Sequence, residues 1–524
     1  MPPAVSIQVL RTPELVQSIC RYTTIGDEAR LAQSDRRLFY MLMPALWEHV
    51  EGLPRLFALS PYLDQMSKDK RHTLNTSEGI DEFIGSHKPL DNDDLARFHI
   101  YSPWIKHLEV CKHGATPEYN AALSLLYISS NRRTILPNIV SISMTVHFNF
   151  RTNPIWVVPF LSDSLRELDF SITSSTENWN IPLTESKILL WLVSMKCFQL
   201  KIFCFTPPAV GPFPRPQPSI TLLDTLTQRI HPNIKEQLDN SPWYFIASMQ
   251  PLVRFATSAS FLESSYFETI SNWPSLEYFE VLFDTEDGLD LPDFAGNAFP
   301  ALIHLGLHRV PGWDTAEEIW DTSSLVSKLT SIKINMAMTC IDRENESGDE
   351  VISLLNALAT GSPHVRNLWF HVDSGYNFHA YEIFASELHQ LEGLSLIKLH
   401  LGGIAFNDDS EAVPRHIAAI FPAIKELGLP KHQIESTELQ LFLSELPLLE
   451  VLRIEFALES ISTAPKIDLS SVPRYRSVPL HTLEANLIGD TKEEVLSDVL
   501  SLNHFEAKTF SEYVTLGSGG YIFG

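Results

Sequence analysis

The stretch Phe421-Pro422-Ala423-Ile424-Lys425-Glu426-Leu427-Gly428-Leu429 places apolar side chains at 424, 427 and 429. Leu427 and Leu429, two apart, fit a short strand with one buried face, because successive side chains of a strand point to opposite sides. Ile424 then falls in the turn that leads into the strand. Pro422 has no amide N–H and disfavours helical backbone in the residue before it, so it ends a preceding helix. The same order of residues returns in Trp273-Pro274-Ser275-Leu276, Phe299-Pro300-Ala301-Leu302 and Ser362-Pro363-His364-Val365.

Working outward, the pattern of apolar, two variable, apolar, one variable, apolar recurs in thirteen copies. They are centred on Leu108, Ile142, Leu168, Phe203, Phe255, Phe279, Leu305, Ile332, Leu368, Ile397, Leu427, Leu452 and Leu483, at intervals of 24 to 52 residues. Between copies the apolar period changes to that of a helix, as in Val351, Leu354, Leu355 and Leu358, or Leu439, Leu441, Phe442, Leu443 and Leu446. A strand plus a helix is too small to bury its own apolar face, so such units stack on one another. This accounts for the length. A single core stops growing near about 250–300 residues, whereas an array adds core one unit at a time and accommodates all 524.

This repeating unit resembles the leucine-rich repeat. The resemblance implies an α/β fold: an irregular solenoid over residues 101–503 with a curved parallel sheet. The departures are a unit longer than the usual 20 to 29 residues and the lack of the ladder Asn or Cys three positions after the last apolar residue of each copy. Six prolines within residues 207–218 predict an extended loop inside the longest interval. Residues 51–100, polar from Ser67 to Asp94, read as a connecting segment, and residues 504–524 as a Gly-rich tail.

The N-terminal residues 6–50 read differently. Thr12, Pro13 and Glu14 form a helix start: a capping hydroxyl, a proline suited to the first turn and an acid that suits the dipole. Leu15, Val16, Ile19 and Cys20 then make one apolar stripe. Gly26 and Asp27 read as a break before a short helix over Ala29–Gln33, and a third helix runs from about Asp35 to Trp47. Thr12-Pro-Glu-Leu-Val-Gln-Ser-Ile19, Ala29-Arg-Leu-Ala-Gln-Ser34, Arg37-Leu38-Phe39 and Pro44-Ala45-Leu46-Trp47 resemble the F-box domain, particularly its fungal versions. The resemblance implies docking onto a Skp1-like adaptor, and through it a cullin, with Pro13, Leu15, Ile19, Leu31, Leu38 and Phe39 as the adaptor contacts. Cys20 and Thr24-Ile25-Gly26-Asp27-Glu28 depart from the family pattern. The same helices would also serve to cap the array with their apolar stripe.

The net charge of -25 repels phosphate backbones and anionic lipid, and no run of Lys and Arg offsets it, so neither nucleic acid nor a membrane is an expected partner. The first fifty residues are close to neutral; the charge lies on the remainder, which points to a target with basic surface. Five scattered cysteines do not make a disulfide framework, and no basic start with an apolar run opens the sequence, so an intracellular, reducing location is expected. No Walker loop, His-Glu-x-x-His, Cys-x-x-Cys or Gly-x-Ser-x-Gly occurs, so neither catalysis nor a metal or other cofactor is expected. The resulting expectation is a substrate receptor of a cullin-type ubiquitin ligase, not itself an enzyme, with a protein target on the array. A scaffold whose F-box no longer recruits the adaptor is the alternative.

Overall fold

The computed structural model describes residues 12–68, 90–110, 120–130, 134–144, 156–170, 183–205, 249, 251–259, 264–283, 291–292, 294–337, 348–373, 380–409, 411–434, 436–457 and 482–488. The chain divides into two compact units, Met1–Phe255 and Ala256–Gly524. The loop 207–218 and the tail 504–524 lie outside the described residues.

The first unit opens with α1 (Pro13–Cys20), α2 (Ile25–Ser34) and α3 (Arg36–Glu48). Helix α1 begins where Thr12 and Pro13 predict, although the Thr12 side chain makes no capping hydrogen bond. Helix α2 begins four residues before the expected Ala29, because the Thr24 side chain caps it by accepting the Asp27 N–H at 3.3 Å. Gly26 therefore sits inside the first turn and does not break the chain. Asp35 caps α3 by accepting the N–H groups of Arg37 at 2.7 Å and Leu38 at 3.4 Å. The three helices bury Val16, Ala32, Leu38, Leu42, Met43 and Leu46 against one another.

Helix α3 leads directly into β1 (His49–Glu51), followed by α4 (Leu53–Phe57), α5 (Pro61–Lys68) and α6 (Ala96–Tyr101). Strands β2 (His107–Glu109), β3 (Ser141–Ser143), β4 (Glu167–Asp169) and β5 (Ile202–Cys204) follow, with α7 (Asn120–Ser130) after β2 and α8 (Leu183–Lys196) after β4. Each strand pairs in parallel with the one before it, aligning Val50, Leu108, Ile142, Leu168 and Phe203 in one buried row. Strand β6 (Arg254–Ser258) starts beside β5, where the Val253 and Arg254 N–H groups both donate to the Lys201 carbonyl at 2.7 and 3.0 Å.

The array thus starts one repeat earlier than its sequence pattern. The position two after Val50 is Gly52, which hides the copy. Residues 51–68, expected within a connecting segment, carry α4 and α5 and bury Leu53, Leu56, Phe57, Leu59, Leu63 and Met66.

The second unit contains α9 (Ser264–Ser271), β7 (Tyr278–Leu282), β8 (His304–Val310), α10 (Trp313–Asp321), α11 (Ser323–Val326), β9 (Ser331–Ala337), α12 (Gly348–Gly361) and β10 (Asn367–Asp373). After these come β11 (Tyr381–Ile383), β12 (Lys398–Gly402), β13 (Ile404–Phe406), α13 (Ala412–Ile420), β14 (Glu426–Ile434), α14 (Ser436–Glu445), β15 (Val451–Ala457) and β16 (Thr482–Ile488). Strands β7, β8, β9, β10, β12, β14, β15 and β16 pair in parallel in that order; β11 and β13 make a separate two-stranded pair. The register aligns Phe279, Leu305, Ile332, Leu368, Leu399, Leu427 and Leu452, all at most 2% exposed. Fully burying a side chain of this size stabilises by about 1.5–3 kcal/mol, so each repeat is held mainly by its neighbours.

One copy lies two residues from its expected place. Leu399, not Ile397, pairs with Leu368 and Leu427. The turn is where the sequence puts it, with the Leu394 N–H donating to the Leu391 carbonyl at 2.9 Å, as the Ile424 N–H donates to Phe421 at 3.1 Å. Two further residues separate that turn from the strand, and Leu396 is buried there at 2%. A shift of two keeps every side chain on its own face, so alternation alone does not distinguish the two registers.

Candidate binding surfaces

Two surfaces emerge, one in each unit. On the N-terminal helices, Leu15 is 45% exposed, Ile19 40%, Tyr22 92% and Ile25 72%, which leaves one side of α1 and the start of α2 apolar and open. Of the residues that the F-box resemblance designates, Pro13, Leu15 and Ile19 lie on the surface, and Leu31 and Phe39 are half-buried. Leu38 is 4% exposed and belongs to the core of the three helices, so it is not presented to a partner.

The opposite side of the helices packs on the first repeats. Phe39 meets Tyr101 and Trp104 edge-on at 6.2 and 5.9 Å, and Trp47 lies 4.6 Å from Tyr101. The Arg55 guanidinium sits 4.8 Å over the Trp47 ring and donates to the Leu46 carbonyl at 3.0 Å. Lys106 reaches back to Glu48 at 2.8 Å, which holds the Glu48 carboxyl below its ordinary range. No free linker separates α3 from the sheet, and anything docked on α1 is held at a fixed angle to the first repeats.

The second surface is the outward face of the sheet in the second unit. Its middle row, one residue per strand, is Glu280, Gly306, Lys333, Trp369, His400, Gly428 and Arg453. A second row beside it is Leu282, His308, Asn335, His371 and Gly402. Strand spacing of about 4.8 Å allows neighbouring rings to stack. The Trp369 indole lies parallel to the His400 ring at 5.0 Å and stacks on His371 at 5.4 Å; the Lys333 ammonium stands 5.0 Å from its centroid.

Two glycines make this packing possible. A Cβ on Gly402 would stand 2.0 Å from His371 Nδ1, and one on Gly428 would stand 2.2 Å from His400 Nδ1. Each ring leans across the strand that follows it. Burial pushes the His400 imidazole down to about 3, helped by His371, Arg453 and Lys333, and burial also lowers His371. Both rings are therefore neutral near pH 7. His400 Nδ1 and Asn335 Oδ1 are buried without a hydrogen-bond partner, and Asn335 is only 8% exposed.

The sequence alone does not single out these ring residues. The signal, once the register is known, is the alternation of Gly and ring residues along one row. The described residues contain no group of three or more His, Cys, Asp or Glu arranged to hold a metal ion. Burial pushes the Cys197 thiol up to about 12, so it is protonated and unreactive near pH 7. No described helix is long and apolar enough to cross a membrane.

No protein-family model and no curated protein matches the chain. Among solved structures it is similar to an internalin from Listeria monocytogenes, at 13% identity and a TM-score of 0.29, over 86% of this chain and 97% of that one. At that level of superposition the likeness adds nothing to what the register already establishes. The register by itself shows repeated parallel strands with helices between them.

Proposed function

We propose that the protein is the substrate receptor of a cullin-type ubiquitin ligase. Helix α1 docks a Skp1-like adaptor, the repeat array holds a protein target, and the other subunits carry out the transfer. The chain itself makes and breaks no bonds; it contributes effective concentration and orientation. The observation that carries this reading is the open apolar side of α1 and α2, because Leu15, Ile19, Tyr22 and Ile25 stay exposed while the opposite side packs on the array. Contiguous exposed apolar surface of this kind is characteristic of an interaction site. Within the contacts implied by the F-box resemblance, Pro13, Leu15 and Ile19 form the docking face, with Leu31 and Phe39 at its margin.

Co-purification of the full chain with a Skp1-like adaptor tests the proposal. Capture by the wild type, lost in the Leu15→Asp, Ile19→Asp double variant at unchanged thermal stability, is the expected result. No capture by the intact protein would sink the ligase assignment. The engagement of Phe39 and Tyr40 by Trp104 favours a second reading, in which the helices chiefly cap the array of a scaffold protein.

A further inference from the structure

The overall charge of -25 suggests a basic target, yet the ring cluster on the second unit's sheet has the opposite local character. Among the described residues no carboxylate lies within ion-pair distance of Lys333; the groups acting on His400 are His371, Arg453 and Lys333, while His371 is acted on by Asp373 and Lys431, so the cations Lys333, Lys431 and Arg453 outnumber the acid of the cluster. Glu280, the carboxylate in the same row, is engaged by His308 at 3.2 Å. At physiological ionic strength charges beyond about 8 Å are largely screened, so the local sign decides what docks. The indole of Trp369 is already engaged by Lys333, His371 and His400, so it is occupied as a stacking platform for a nucleobase. What the cluster offers is ring edges beside an ammonium.

We propose that the outward sheet face at Lys333, Trp369, His371 and His400 binds an extended acidic peptide segment of a protein partner. A carboxylate sits against the Lys333 ammonium and an apolar side chain two positions away on the same side covers the rings. Residues two apart share a side of an extended peptide, which fixes that spacing. From β9 to β14 is three strand steps, about 14 Å, so four or five extended residues cross the cluster. This deepens the assignment of the array as the target-binding part and does not depend on adaptor docking.

The test uses the full-length protein and a fluorescein-labelled dodecapeptide of three Glu-Ser-Leu-Ser units, read by fluorescence anisotropy. Otherwise identical peptides with Gln or Lys in place of Glu, and a dodecameric single-stranded RNA, are the comparisons. The Glu peptide is expected to bind tightest. Lys333→Glu and Trp369→Ala should each weaken it about tenfold, the effect of losing a central anchor, and Lys333→Arg should restore binding, which separates charge from folding. Binding no tighter than the Gln peptide, tighter binding of the Lys peptide or the RNA, or an unchanged affinity in Lys333→Glu would each overturn the proposal. Peptide binding that persists in the Leu15→Asp, Ile19→Asp variant supports it, and a protein that binds the Glu peptide but captures no adaptor refutes the ligase assignment alone.

Discussion

The open side of α1 and the ring cluster of the second unit are built by opposite means. Leu15, Ile19, Tyr22 and Ile25 lie within eleven residues of one another, and their exposure follows from a helical stripe facing away from Val16 and Leu38. Lys333, Trp369 and His400 come from three strands, 36 and 31 residues apart, and meet only because the strands pair in one register. A surface of the first kind tolerates change in the rest of the chain. One of the second kind depends on every repeat that sets its register.

The sharpest way to break the second surface is through the buried row beneath it. Leu399→Ala should cost about 2–5 kcal/mol in chemical denaturation, the range for emptying a core leucine site, whereas half-buried Ile397→Ala should cost clearly less. Equal losses would put the strand back in the register read from sequence. Next in size, Gly428→Ala forces a methyl against the His400 ring and should cost about 1–3 kcal/mol, with relief when His400 is also replaced by Ala.

Acid should weaken the second unit through the same ring. The folded value of His400, about 3, lies below its ordinary 6.5, so between those two values the unfolded chain binds a proton that the folded chain does not. Stability therefore falls as pH falls through that window, and thermal melts at pH 7 and 4.5 should show a smaller acid loss in His400→Asn. The surroundings that oppose protonation are His371 on β10, Lys333 on β9 and Arg453 on β15.

The helical surface should respond less. Asp35→Ala removes the cap of α3 and should lower stability by about 1 kcal/mol. Leu15→Asp with Ile19→Asp should change thermal stability by no more than about 0.5 kcal/mol, since both side chains are already exposed, while abolishing adaptor capture. A large loss of stability in that pair would mean that α1 packs inward and would erase the contrast between the two surfaces.

Much of this molecule is readable from its residues. Twelve of the thirteen strand centres are where the apolar spacing puts them or lie, as Leu483 does, on a strand paired in the expected register. Thr12 and Asp35 mark helix starts correctly. The misses have separate causes. The break expected at Gly26 gave way to the Thr24 cap, the first repeat was hidden by Gly52, and the β12 copy slipped by two because alternation is unchanged by such a shift. Leu38, assigned by resemblance to a partner, turned out to serve the core, since a helical stripe does not say which of its neighbours covers it.

The sequence by itself determined the repeating strand and helix, the buried face of each strand, and the distinct helical start, because these depend on periods of 2 and 3.6 residues within a single element. Only the tertiary structure decided that Trp369, His371 and His400 gather beside Lys333, and that Gly402 and Gly428 make room for the rings. Those outcomes rest on pairing between strands about thirty residues apart, and the energy that selects one pairing is spread over every buried residue of the row rather than written in any one segment.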